Sequence, residues 1–102
     1  MGEKVTIEQS SEGEYLVTGL LSLRTINKLR VSADRIITEE DGPFRIDLSG
    51  AVTNGTAGLA LLSSLVRTAR KAGKELVFIN PPASLLTLAE ANGLSRLLSL
   101  NT

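Results

Sequence analysis

Hydroxyl and carboxyl side chains crowd one stretch of this chain, Asp47-Leu48-Ser49-Gly50-Ala51-Val52-Thr53-Asn54-Gly55-Thr56-Ala57-Gly58-Leu59-Ala60. Ser49, Thr53 and Thr56 are its candidate nucleophiles, and a hydroxyl becomes one only beside a base. The 102 residues include no histidine and no cysteine. Their absence removes the commonest base, and with it thiol nucleophiles, disulfides and thiolate metal sites. Lys4, Lys28, Lys71 and Lys74 stand in polar, exposed contexts that give no reason for a lowered pKa. Asp47 closes an alternating run and reads as a hydrogen-bond acceptor that orders the following loop, in preference to an acid or base. The residues therefore point to no catalytic group, no metal and no cofactor, and the expected protein is a binding module and not an enzyme.

The same stretch carries glycines at nucleotide-binding spacing, because Gly50 and Gly55 stand as in a P-loop between a strand and a helix. The rest of that motif does not follow. Thr56 takes the place of the phosphate-neutralising lysine, and Ala57 the place of the Mg²⁺-binding hydroxyl. What remains is a low surface, kept open by Gly55, Ala57 and Gly58, at a helix N-terminus whose N–H groups favour an anionic or hydrogen-bonding partner.

The elements that hold this segment are read from hydrophobic period. Val5 and Ile7 alternate with Lys4, Thr6 and Glu8, Ser10-Ser11-Glu12-Gly13 forms a turn, and Tyr15-Leu16-Val17-Thr18 returns as a second strand ended by Gly19. From Ser22 the period becomes helical, with Ile26, Leu29, Ala33, Ile36 and Ile37 inward and Asn27, Lys28, Arg30, Asp34 and Arg35 outward. Glu39-Glu40-Asp41-Gly42-Pro43 is a charged turn, and Phe44-Arg45-Ile46-Asp47-Leu48 is a strand. Ala57 to Ala72 is a long helix with Leu59, Leu62, Val66 and Ala69 inward, flanked by Leu61 and Leu65. Thr56 is expected to cap it, Arg67, Arg70 and Lys71 to suit its C-terminal dipole, and Gly73 to end it. Glu75 to Asn80 is apolar enough for a central strand buried on both faces, and Pro81-Pro82 stops it. Ser84 to Ala91 is a last helix closed by Gly93, with Leu94 folding back and Leu97, Leu98 and Leu100 completing the core.

The order β-β-α-β-α-β-α predicts an α/β fold, a small and mainly parallel sheet with an N-terminal hairpin and helices packed on it, as a single domain over residues 1–102. Apolar residues at 42% and charged residues at 22% suit a globular chain. Eleven basic residues balance eleven acidic ones, so no global field draws it to nucleic acid or anionic lipid. Tyr15, Phe44 and Phe78 are the only aromatics and supply no stacking platform for single strands, Phe44 and Phe78 being core candidates. The N-terminus lacks a signal-peptide pattern and no apolar run is long enough to span a bilayer. A cytoplasmic protein without membrane insertion is expected.

Ile46-Asp47-Leu48-Ser49 followed by Thr56-Ala57-Gly58-Leu59-Ala60-Leu61-Leu62 resembles the signature of STAS domains, the family named for sulfate transporters and anti-sigma factor antagonists. The likeness continues through Ala69-Arg70-Lys71-Ala72-Gly73-Lys74 and through Leu85 to Leu94, and so covers nearly the whole chain. It implies a non-enzymatic module whose hydroxyl residue at the start of the long helix, here Thr56, lies in the partner surface and in some members accepts phosphate. Asn54, Thr56, Ala57 and Gly58 are the implied partner-binding residues. Within the family the run from Thr56 to Leu62 is most similar to the small STAS subunit of bacterial lipid-asymmetry (Mla) ABC transporters. That similarity implies a cytosolic subunit, peripheral to the inner membrane, that binds the ATPase of a phospholipid-transporting complex. The alternative is an anti-sigma factor antagonist that switches partners on an anti-sigma kinase. Both branches commonly place Asp immediately before the hydroxyl residue, where this chain has Gly55.

Overall fold

The computed structural model describes residues 4–53, 55–96, 98 and 100–101. Among them lie strands β1 (Val5–Ser11), β2 (Glu14–Leu21), β3 (Phe44–Thr53), β4 (Leu76–Ile79) and β5 (Leu100–Asn101), and helices α1 (Ile26–Glu39), α2 (Ala57–Ala72) and α3 (Ala83–Ala91). The strands form one sheet in the order β1-β2-β3-β4-β5. The β1–β2 hairpin is antiparallel, and every later pairing is parallel. Parallel neighbours require a crossover, and α1 and α2 provide two of them. The expected α/β architecture is the one observed, with β5 added at the far edge.

Helices cover one face of the sheet. Along β3, Phe44, Ile46 and Leu48 are buried while Arg45 is exposed and Asp47 is half-buried. Tyr15, Val17 and Leu21 of β2 join them in the core. Leu29, Ala33 and Ile37 of α1 are buried against this layer, and the amphipathic reading of that helix holds. Its start does not, because residues Ser22 to Thr25 form a turn before the helix. There the buried Thr25 hydroxyl donates to the Leu20 carbonyl at 2.7 Å and accepts the Ser22 N–H at 2.9 Å. On α2, Leu61 and Leu65 are as buried as Leu59 and Leu62, whereas Val66 is only half-buried. The inner face is thus rotated toward these leucines, because α2 touches α1 on one side and α3 on the other. Between α1 and α2, the Thr68 hydroxyl donates to the Asp34 carboxylate at 2.8 Å, and Arg30 lies 3.4 Å from the same carboxylate. That contact explains why two residues on the polar side of α1 are half-buried.

Three sequence expectations need correction here. Gly19 does not end β2, which runs on to Leu21. It sits at φ 115° where an added Cβ would collide with the Lys4 carbonyl oxygen, so the glycine admits the close approach of β1. β4 is not buried on both faces, since only Phe78 is fully covered and Leu76, Val77 and Ile79 are half-buried. Its apolar run reflects a short strand whose outer face has no helix over it. Leu98 is buried as expected, Leu100 belongs to β5, and Leu97 lies outside the described residues. Lys74 is not an exposed lysine. Its Nζ donates to the carbonyls of Ile37, Thr38 and Glu40 at 2.8, 2.9 and 2.5 Å. α1 has no basic residue in its last turn, and Lys74 supplies the missing cation at its C-terminal carbonyls.

The end of α2 follows the sequence closely. Gly73 adopts φ 68° and its N–H bonds the Ala69 and Arg70 carbonyls, with Arg70 and Lys71 in the last turn. Gly93 at φ 69° closes α3, and the Leu94 N–H returns to the Ala89 carbonyl at 2.8 Å.

Two substitutions test this account by urea melts. Leu62→Ala, at a side chain with no exposed surface, is expected to cost about 2–5 kcal/mol. Lys74→Met leaves the α1 carbonyls without their donor and is expected to cost about 1–3 kcal/mol. A wild-type midpoint for either variant would show that the contact it removes contributes nothing.

Candidate functional site

The hydroxyl-rich segment is mostly strand. β3 continues through Ser49 to Thr53, where the sequence suggested a loop from Ser49 onward. The cause is a bulge. Leu16 of β2 pairs with Asp47 and Thr18 with Gly50, so Val17 faces both Leu48 and Ser49. The inserted residue breaks the period of two and disguises the strand. Past the bulge the alternation resumes out of phase, with Ala51 buried, Val52 exposed and Thr53 half-buried. Gly50 belongs to this strand and packs tightly, a Cβ there meeting the Val17 carbonyl and the Thr18 hydroxyl at 2.9 Å. The glycine spacing of a P-loop therefore wraps no loop.

Asp47 holds the bulge. Its Oδ1 accepts the Ser49 N–H at 2.9 Å and the Asn80 side-chain amide at 3.2 Å, the ordering role read from the sequence. Burial alone pushes its carboxyl up, but hydrogen bonds from the Ser49 backbone, the Ser49 side chain and the Asn80 side chain outweigh it and leave the pKa below the ordinary value. Asn80 stands at φ 55°, a left-handed conformation that asparagine tolerates better than most residues.

At the carboxyl end of β3 the Thr53 hydroxyl meets the Ser84 hydroxyl at 2.8 Å, across 31 residues. This pair joins the strand to the start of α3. Gly58, in the first turn of α2, lies against both Thr53 and Leu85, where a Cβ would stand 3.2 Å from the Thr53 methyl and 3.6 Å from a Leu85 methyl. The starts of α2 and α3 thus converge on one patch at the sheet's carboxyl edge.

Of the four residues proposed from the sequence, Thr56 alone presents an exposed side chain among the described residues. Ala57 is 4% exposed and Gly58 is buried, so these two shape the surface from beneath, and Asn54 lies outside the described residues. Thr56 occupies the N-cap position, but its hydroxyl makes no capping hydrogen bond. The cap expected from the sequence is absent because Thr56 already has helical dihedrals, φ −93° and ψ −2°, whereas a capping side chain needs extended backbone to reach the N2 or N3 N–H. Its carbonyl still accepts the Ala60 N–H. Gly55 before it adopts φ 73° with open space around its Cα, so an aspartate there would be strained by the backbone and not by crowding.

Three residues of this edge were not singled out from the sequence. Leu23 is 81% exposed and Val52 60%. Leu23 follows β2 directly, and Leu20 pairs with Val52, which brings both to the edge that carries Thr56. Exposed aliphatics on a turn and beyond a bulge follow no period, so no pattern marks them. Ser84 was visible only as a helix start.

Comparisons with known proteins agree with the fold. A family model described as Mlab, STAS domain matches residues 8–99. The search of curated proteins finds no significant match. Among solved structures, the anti-sigma factor antagonist SpoIIAA in its unphosphorylated form aligns over 96% of this chain and 86% of its own, with TM-score 0.74 and 12% identity. The Bacillus cell fate determinant SpoIIAA in the phosphorylated form gives 0.70 at 12% identity, over 96% of this chain and 89% of its own. These two likenesses are of fold. An antisigma-factor antagonist STAS domain from Rhodobacter sphaeroides reaches 25% identity and TM-score 0.59, over 74% of this chain and 84% of its own.

The carboxylate at the bulge gives a pH test. A group whose native pKa is depressed contributes stability above its unfolded pKa and loses it as pH falls through the native value. Wild-type protein is therefore expected to lose, below about pH 4, a stability increment that Asp47→Asn lacks at every pH. Urea melts at pH 6 and at pH 3 measure it, and a difference between the two proteins that does not narrow at pH 3 contradicts the assignment.

Proposed function

Because the chain belongs to the STAS-domain family, we propose that it is a non-enzymatic docking module that binds a partner protein through the patch at the start of α2. The observation that carries this reading is Thr56, exposed at a helix N-terminus with a hydroxyl that its own helix does not use. Leu23 and Val52 add exposed apolar surface at the same edge of the sheet, and an exposed polar centre with aliphatic surface along one edge suits a protein contact better than a small-molecule pocket. Asn54, two residues earlier in sequence, belongs to the proposed contact, while Ala57 and Gly58 keep the patch low.

The partner class supported by the solved structures is an anti-sigma factor, the three similar chains being antagonists of such factors or SpoIIAA itself. On that reading Thr56 is the phosphoacceptor. Phosphate would sit favourably at the N-terminus of α2, where the dipole favours negative charge, yet it would bring a double charge into a docked surface. A second reading rests on the description of the matching family model and on the run Thr56-Ala57-Gly58-Leu59-Ala60-Leu61-Leu62. It makes the partner the ATPase of an ABC complex that moves phospholipid to maintain outer-membrane asymmetry, with this chain on the cytoplasmic side of the inner membrane.

The test is a pull-down from the native host with wild-type, Thr56→Ala and Thr56→Glu protein, the captured chain identified by mass spectrometry. Thr56→Glu is expected to weaken capture at least ten-fold, since an uncompensated charge in a closed interface costs several kcal/mol. Thr56→Ala is expected to melt within about 0.5 kcal/mol of wild type, there being no cap to lose. Capture of an anti-sigma kinase establishes the first reading and capture of an ABC ATPase the second. Undiminished capture by Thr56→Glu removes this patch from the interface.

A further inference from the structure

A second surface lies at the opposite edge of the sheet, separated from Thr56 by the ~30 Å length of a ten-residue strand. It is a cavity of about 580 Å³ between the β1–β2 turn and the loop from α1 to β3. The carboxylates of Glu12, Glu40 and Asp41 line it, all three on exposed residues. The one cation in the lining, Arg45, is an exposed side chain whose Nε lies 3.8 Å from the Glu14 carboxylate.

Two observations separate this from a chance acidic cluster. Tyr15 is 6% exposed and lines the cavity, yet among the described residues its hydroxyl has no hydrogen-bond partner. No buried polar atom there lacks a partner, so that hydroxyl is the part of Tyr15 that reaches the opening. Burial and then the Glu40 carboxylate raise its pKa above the ordinary value, as a negative potential at that point requires. The second observation is the placement of the charges. Glu39, Glu40 and Asp41 follow one another at the C-terminal end of α1, the negative end of the dipole, where carboxylates are destabilising. Lys74 offsets the helix carbonyls from beneath, with its Nζ 6.0 Å from the Phe44 ring, and among the described residues no ion pair holds the Glu39, Glu40 or Asp41 carboxylate.

We infer that this cavity accepts a cationic side chain, an arginine or lysine, from a basic segment of a partner protein. Among the described residues no three carboxylates converge closely enough to hold a metal ion, which favours a spread guanidinium or ammonium over a divalent cation. Tyr15 and Phe44 line the cavity with ring centroids 6.4 Å apart, an apolar surface that suits the stem of such a side chain, and the phenol hydroxyl offers an acceptor at the opening. This surface does not depend on the docking patch at Thr56.

The experiment is an NMR titration of the full chain with the peptide acetyl-Gly-Arg-Gly-Arg-Gly-amide, and with its Gln-for-Arg counterpart. Saturable shifts of the Gly13, Gly42 and Arg45 amides are expected with the arginine peptide alone. The double variant Glu40→Gln/Asp41→Asn is expected to weaken binding about five-fold while melting at or above the wild-type temperature, since it relieves the helix end. Tyr15→Phe is expected to weaken it about two-fold and Glu8→Gln, on the exposed face of β1, to leave it unchanged. No saturation, equal shifts with the glutamine peptide, equal affinity for spermidine, or an equal loss in Glu8→Gln would each overturn the inference.

Discussion

Val17 of β2 stands opposite two residues of β3, and the extra one has to go somewhere. It is absorbed at Ser49, whose N–H turns to the Asp47 carboxylate. Everything beyond that point is displaced by one position relative to a regular strand. Without the insertion Val52 would point inward and Thr53 outward, and the Thr53–Ser84 hydroxyl pair that ties α3 to the strand end would not form. Gly58 then packs under Thr53 and fixes where α2 begins. The exposed Thr56 is thus placed by a carboxylate nine residues earlier that never touches it.

The fold was legible where period and punctuation agreed. The bounds Ala57 to Ala72 are those of the observed α2, because an unbroken apolar stripe ends on a glycine in the left-handed conformation. The hairpin, both parallel crossovers and the core role of Phe44 and Phe78 followed from the same reasoning. The sequence misled where one residue type serves two purposes. Gly19 read as the end of a strand and Gly50 as part of a glycine-spaced loop, yet both lie within strands at close backbone approaches. Thr56 read as a cap because threonine is common there, and only its dihedrals show that the hydroxyl is free of the helix. The reach of Lys74 to α1, and the exposure of Leu23, are tertiary facts with no local signature.

One covered face and one open face divide the work of the sheet. The covered face carries the core from Tyr15 to Leu98, with the helices layered on it. The open face carries polar or half-buried residues such as Arg45, Asp47 and Val77, and its strands owe their order to pairing and to the bulge network. Parallel crossovers put helix starts at the carboxyl edge and helix ends at the amino edge. The hydroxyl-bearing patch and the acidic cavity therefore occupy opposite edges as a consequence of topology, and neither intrudes on the other's packing.

The ammonium of Lys74 bonds carbonyls 34 to 37 residues earlier in the chain. In polymer terms it closes a ring, and that ring contains the end of α1, all of β3 and all of α2. The path leaves the clamp along β3, turns at Thr56 and comes back along α2 to the same point. Thr56 is the apex of a loop pinned at its base, with most of the closure entropy already spent in the folded chain. The clamp thus fixes the base from which β3 and α2 project together toward the carboxyl edge of the sheet.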